Sequence, residues 1–156
     1  MRDMLKAGAV AVGLAVSLSG IAVAGEIAPT DVSFTDDNEI AASLTGKPGD
    51  AAKGREVFSS RKLGNCLACH ENSDQKEQLF HGNVGPTLDG AADRWSEAQL
   101  RAIVVNSKKI FTEDTVMPGF YSVEVGLNPR KDLVGKTILT AEQVEDVVAY
   151  LATLKE

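Results

Sequence analysis

The sequence predicts an all-α fold in which short helices and long loops wrap around one bound group. Three observations predict it. Apolar residues recur at helical spacing in the second half of the chain, and no segment shows the alternation of a half-buried strand. The stretches 71–90 and 108–139 are loop-like, and loops of that length are unusual in a compact domain with nothing rigid to enclose. The residues able to hold such a group are scarce: two Cys, two His and three Met among 156 residues allow one small centre.

Composition narrows the class further. At 44% hydrophobic and 24% charged residues, the chain reads as one ordinary globular domain. Two cysteines exclude a multi-disulfide scaffold. A net charge of −6 argues against a nucleic-acid-binding protein.

Residues 1–24 read as a secretory signal peptide. Arg2 and Lys6 precede an uncharged run of small and apolar residues that ends in Ala22-Val23-Ala24, a small-x-small cleavage pattern. A membrane anchor is the competing reading, but the run is rich in Ala, Gly and Ser and short for a span. Cleavage would leave an exported, periplasmic chain with no membrane span. Loss of Arg2, Lys6 and Asp3 would take the charge to −7.

Residues 25–49 carry scattered acidic residues and no periodicity, the pattern of an extended N-terminal arm, disordered or draped on a surface. The domain proper, residues 50–156, opens on Asp50 as cap of a helix over 51–61 with Ala51, Val57 and Phe58 inward. Residues 71–90 form a loop region punctuated by Gly82, Gly85, Pro86 and Gly90. Ser96-Glu97-Ala98-Gln99 is a capping box, followed by Leu100, Ile103 and Val104 on one face of a helix to about Ser107. Thr140-Ala141-Glu142-Gln143 repeats the signal and starts a helix whose stripe is Val144, Val147, Val148, Leu151 and Leu154.

The chemistry concentrates in Cys66-Leu67-Ala68-Cys69-His70. C-x-x-C-H is the attachment sequence of c-type haem. Two cysteines three positions apart on a helical turn present both sulfurs to one porphyrin edge, and the adjacent histidine can swing beneath the ring to bind iron. Attachment also consumes the thiols, which an exported protein would otherwise pair. A thioredoxin-type site would need a βαβ surround that the sequence lacks. A zinc site would need Cys66, Cys69, His70 and His81 together, and adjacent Cys69 and His70 rarely share one tetrahedral ion. A plain disulfide leaves His70 unexplained. The expected cofactor is therefore one covalently bound haem c per chain.

A methionine thioether suits the opposite face of the iron. Met1 and Met4 would leave with the signal peptide, so Met117, in Thr115-Val116-Met117-Pro118-Gly119, is the expected distal ligand. Its competing role is core filling. His81 is the rival ligand, but its polar, glycine-flanked surroundings suggest exposure to solvent. An axial histidine usually donates its other ring N–H to a carbonyl, and the Gly85-Pro86 turn is placed to offer one. Trp95 reads equally as a haem neighbour or a core residue, and Tyr121 and Arg94 are further candidates at the haem edge.

C-x-x-C-H, the turn Gly85-Pro86-Thr87-Leu88-Asp89-Gly90 and the late Met117-Pro118 together resemble the small class I cytochromes c. Longer stretches are narrower: Gly82 to Pro86, Asp114 to Tyr121, Gly135 to Thr140 and Val144 to Leu151. Over residues 48–155 they resemble the SoxX family, the monohaem subunits of the SoxAX cytochrome complexes of sulfur-oxidising bacteria. The resemblance implies a class I cytochrome c fold, thioether links at Cys66 and Cys69, axial ligands His70 and Met117, and Pro86 facing His70. It also implies a SoxA-like cytochrome partner, with one or two haems, that handles thiosulfate itself. The joint activity would be an L-cysteine S-thiosulfotransferase that joins thiosulfate to the SoxYZ-like carrier. This chain would hold no catalytic residue and would pass electrons to a small soluble cytochrome c. The alternatives are a free-standing periplasmic electron carrier and a haem-based sensor; a sensor would need an open iron position, against Met117.

Overall fold

The computed structural model describes residues 25–124 and 126–156; the predicted signal peptide lies outside them. The described residues hold four helices, α1 (Ala51–Ser59), α2 (Ala91–Arg94), α3 (Glu97–Ile110) and α4 (Ala141–Leu151), with three short 3₁₀ turns and no strand. None of these helices is long and apolar enough to cross a membrane.

The local signals explain where three helices begin. Asp50 accepts from the N–H groups of Ala52 and Lys53 and starts α1. Ser96 with Gln99, and Thr140 with Gln143, complete reciprocal capping boxes at α3 and α4. α2, a single turn entered through Gly90 at φ 64°, has no apolar periodicity and was not legible in the sequence.

The core forms where α1 and α3 cross α4. The predicted stripe is buried from Val144 to Leu154, but α4 ends at Leu151 and Leu154 follows in the turn after it. α1 contributes Val57 and Phe58, and Phe58 meets Tyr150 of α4 edge-on at 5.4 Å. Gly54 explains how closely the two helices approach. A Cβ there would run into the Asp146 carbonyl and lie 2.9 Å from the Tyr150 Cβ.

Residues 25–49 lie against α3 and α4, and Ile40 and Leu44 join the core. Ile40 donates its N–H to the Ala98 carbonyl, and Ile27 donates to that of Leu44. A buried pair secures the segment: Arg101 forks onto Glu145 at 2.8 and 3.0 Å and also donates to the Ile40 carbonyl at 2.9 Å. Glu145 in turn accepts from the Leu44 N–H at 2.9 Å.

Candidate haem-binding site

Cys66, Leu67 and Ala68 form a 3₁₀ turn entered through Asn65 in the left-handed region, φ 50°. The N–H groups of Cys69 and His70 both donate to the Cys66 carbonyl, so the turn is tight and its two thiols stay unpaired and partly buried. Burial pushes the Cys66 thiol up to about 12. That is the reverse of the lowered thiol of a redox C-x-x-C.

The segment after the turn is stitched to it. Gly82 donates to the Leu67 carbonyl, Gly85 to that of Cys69 and Leu88 to that of Glu71. This brings the Pro86 carbonyl 2.7 Å from His70 Nδ1. A carbonyl only accepts, so Nδ1 carries the proton and Nε2 is the nitrogen left to face a metal. That is the state an axial histidine requires, and it fits the predicted pairing of His70 with Pro86. Gly85 backs the ring so closely that a Cβ there would lie 2.7 Å from Nδ1 and 2.9 Å from Nε2.

Met117 lies on a separate segment but packs, like Cys66, against the common core. α3 departs from helical geometry at Asn106 (φ −156°, ψ 86°). The carbonyls just before this break, on Val104 and Val105, accept from Phe120 and Tyr121. Ser107 Oγ donates to the Met117 carbonyl at 2.7 Å, and Lys108 Nζ reaches the carbonyls of Glu113 and Thr115. The broken helix thus holds both arms of the methionine loop. The predicted stripe stops at Val104 and the predicted helix at about Ser107, whereas α3 resumes beyond the break and runs to Ile110.

Other candidates settle differently. His81 does not point into solvent: Nδ1 accepts from the Asn72 N–H and Nε2 faces the Gln75 carbonyl, both at 3.2 Å. With both nitrogens engaged it offers no lone pair to iron. Arg94 holds the Pro86 loop through the carbonyls of Thr87 and Asp89. Tyr121 is buried and bonds the Ile27 carbonyl and Glu26, securing the N-terminal segment. Trp95 is half-exposed and packs edge-on against Phe111.

Sequence reasoning left 71–81 without a role, and the structure makes it a built loop. Asn72 and Gln75 are wholly buried, and both donate to the Tyr150 hydroxyl, which donates to Asp74 at 2.7 Å. The Tyr150 hydroxyl, reinforced by Arg55, outweighs burial and holds the Asp74 carboxyl below its ordinary range. The phenol moves the other way: burial, then the Asp74 carboxylate, push it up to about 12. Burial and Glu26 do the same to Tyr121. A raised folded-state value means stability present below the ordinary tyrosine range and lost as pH climbs through it toward 12. Denaturant midpoints should therefore fall between about pH 10 and 12, and less steeply in Tyr150→Phe. At neutral pH that variant, which strands the buried Asn72 amide and leaves Gln75 only the Arg55 carbonyl, should lose about 1–3 kcal/mol.

Residues 51–155 match the family model described as cytochrome c. The chain belongs to the cytochrome c family, and with it comes one covalently bound haem c per chain. Within that family it is SoxX-like. It is 45% identical to a chain in the crystal structure of SoxXA from P. pantotrophus, covering 85% of this chain and 100% of that one at a TM-score of 0.77. Ferric cytochrome c-550 from Paracoccus versutus is 25% identical over 69% of this chain and 99% of that one, but its TM-score of 0.38 is too low to argue from. No curated protein matches the chain.

Proposed function

We propose that this chain is the electron-transferring subunit of a SoxAX-type thiosulfate-oxidising complex. The observation that carries the reading is the 45% identity to a chain of SoxXA, spanning the whole of that chain. Bound haem c supplies reversible one-electron chemistry, and the protein's own residues supply attachment and geometry. Cys66 and Cys69 hold the group through thioethers. His70 would ligate through Nε2, its ring aimed by the Pro86 carbonyl on Nδ1. Met117, whose loop Ser107 holds, would supply the second iron ligand. Electrons arrive from the SoxA-like subunit, where thiosulfate is joined to a cysteine of a SoxYZ-like carrier, and leave to a small soluble cytochrome c. The chain is exported to the periplasm by residues 1–24, which are then removed.

Two measurements test this. Met117→Ala should abolish the sulfur-to-iron charge-transfer band of the oxidised protein and lower its reduction potential, with covalent haem retained. An unchanged spectrum would remove Met117 from the iron. A tagged chain purified from its native source should bring a larger haem protein with it. Recovery as a stable monomer would favour the free-standing carrier.

A further inference from the structure

We propose that the loop tip around Leu79 and Phe80, beside the Cys66–His70 turn, is the permanent docking surface for the SoxA-like subunit. The inference rests on the subunit reading above and names the surface it uses. Residues 78–88 contain no Asp, Glu, Lys or Arg, in a chain that is 24% charged. Solubility does not explain the run, because Leu79 is fully exposed and Phe80 and Val84 are 67% and 66% exposed. Loss of charge around exposed aromatic and aliphatic side chains marks the core of a lasting interface. A transient electron-transfer partner would instead be met by charge.

Rigidity points the same way. The tip stands on the buried Asn72–Gln75–Tyr150 network, and His81 ties its far side back to Asn72 and Gln75. A loop with no partner would not need wholly buried amides at its base, whereas a preorganised one loses less freedom on binding. Location completes the case. Gly82, two residues after Phe80, packs on the Ala68–Cys69 backbone, where a Cβ would lie 2.9 Å from the Cys69 Cα. The tip therefore flanks the cysteines that anchor the haem edge. A subunit seated there would lie beside the haem-attachment turn.

The test co-expresses the full tagged chain with its SoxA-like subunit and compares wild type, Leu79→Asp/Phe80→Asp and Val134→Asp. Val134 is similarly exposed but stands among Arg130, Lys131, Asp132 and Lys136. The double variant should keep its covalent haem and visible spectrum yet bind the second subunit about a hundredfold or more weakly. Val134→Asp should pair like wild type. Undiminished pairing of the double variant overturns the surface assignment. So does an altered spectrum with pairing intact, which would make the tip a haem cover, or slowed reduction of a soluble cytochrome with pairing intact. If the double variant fails to load haem, a photo-crosslinking amino acid at Leu79 in the otherwise native complex decides: a crosslink to the second subunit supports the proposal and its absence overturns it. A wild-type chain that pairs with nothing sinks the subunit reading and the surface together; a paired wild type with a paired variant sinks only the surface.

Discussion

Gly85→Ala should lower the yield of low-spin, histidine-ligated haem protein by about tenfold or more, while Pro86→Ala should leave it nearly intact. The contrast follows from which atoms do the work. The hydrogen bond to His70 Nδ1 comes from the main-chain carbonyl of residue 86, and alanine keeps that carbonyl. The methyl group added at 85 falls on the imidazole itself, below 3 Å from both ring nitrogens. The ring cannot turn away without leaving Pro86 O, and the Gly85 N–H is committed to the Cys69 carbonyl, so the backbone cannot retreat either. Something must shift, and the loosest element is the ligand. Relief of such a clash can cost several times a typical surface substitution. Optical spectra and haem staining of the two variants, expressed with a haem-attachment system, separate the outcomes. Normal spectra for Gly85→Ala would mean that the proximal pocket is less tightly set than these distances imply.

Much of this pocket was legible because its signals are short-range. C-x-x-C-H, the Gly85-Pro86 turn and the two capping boxes each lie within a few residues, and local chemistry governs them. Met117 is proposed as the distal ligand by elimination, since Met1 and Met4 fall within the predicted signal peptide. The parts that escaped are those whose meaning depends on distant partners. Asn72 and Gln75 look like loop residues until Tyr150, more than seventy positions away, supplies their acceptor. His81 reads as exposed because its two partners are main-chain groups, to which sequence patterns are blind. The break at Asn106 becomes necessary only once Phe120 and Tyr121, from a distant segment, come to claim the carbonyls of Val104 and Val105. Ile40 and Leu44 in the N-terminal segment show no period because they plug an existing surface rather than form an element.

That plug leads to the largest expected stability effect. Glu145→Ala should destabilise the haem-loaded protein by about 3–5 kcal/mol, because it strands a buried guanidinium. The side chains of Arg101 and Glu145 are only 8% and 3% exposed, so water cannot replace the lost partner. The damage extends past the pair: the Leu44 N–H loses its acceptor, and Arg101 is left with only the Ile40 carbonyl to hold it. Against a total stability of about 5–15 kcal/mol for a small domain, this is a large fraction. It corresponds to a fall in Tm on the order of 10–20 °C. The same physics predicts partial rescue. Replacing both partners with apolar residues, as in Arg101→Met/Glu145→Leu, removes the uncompensated charge and should be milder than Glu145→Ala alone. The rescue should be incomplete, because the N–H of Leu44 and the carbonyl of Ile40 stay without their side-chain partners. Limited proteolysis adds a location: in Glu145→Ala, cleavage should begin within residues 25–49, since both main-chain ties from that segment to the ion pair are weakened together. A double variant as unstable as the single would show that the segment's hydrogen bonds, rather than the buried charge, carry the energy.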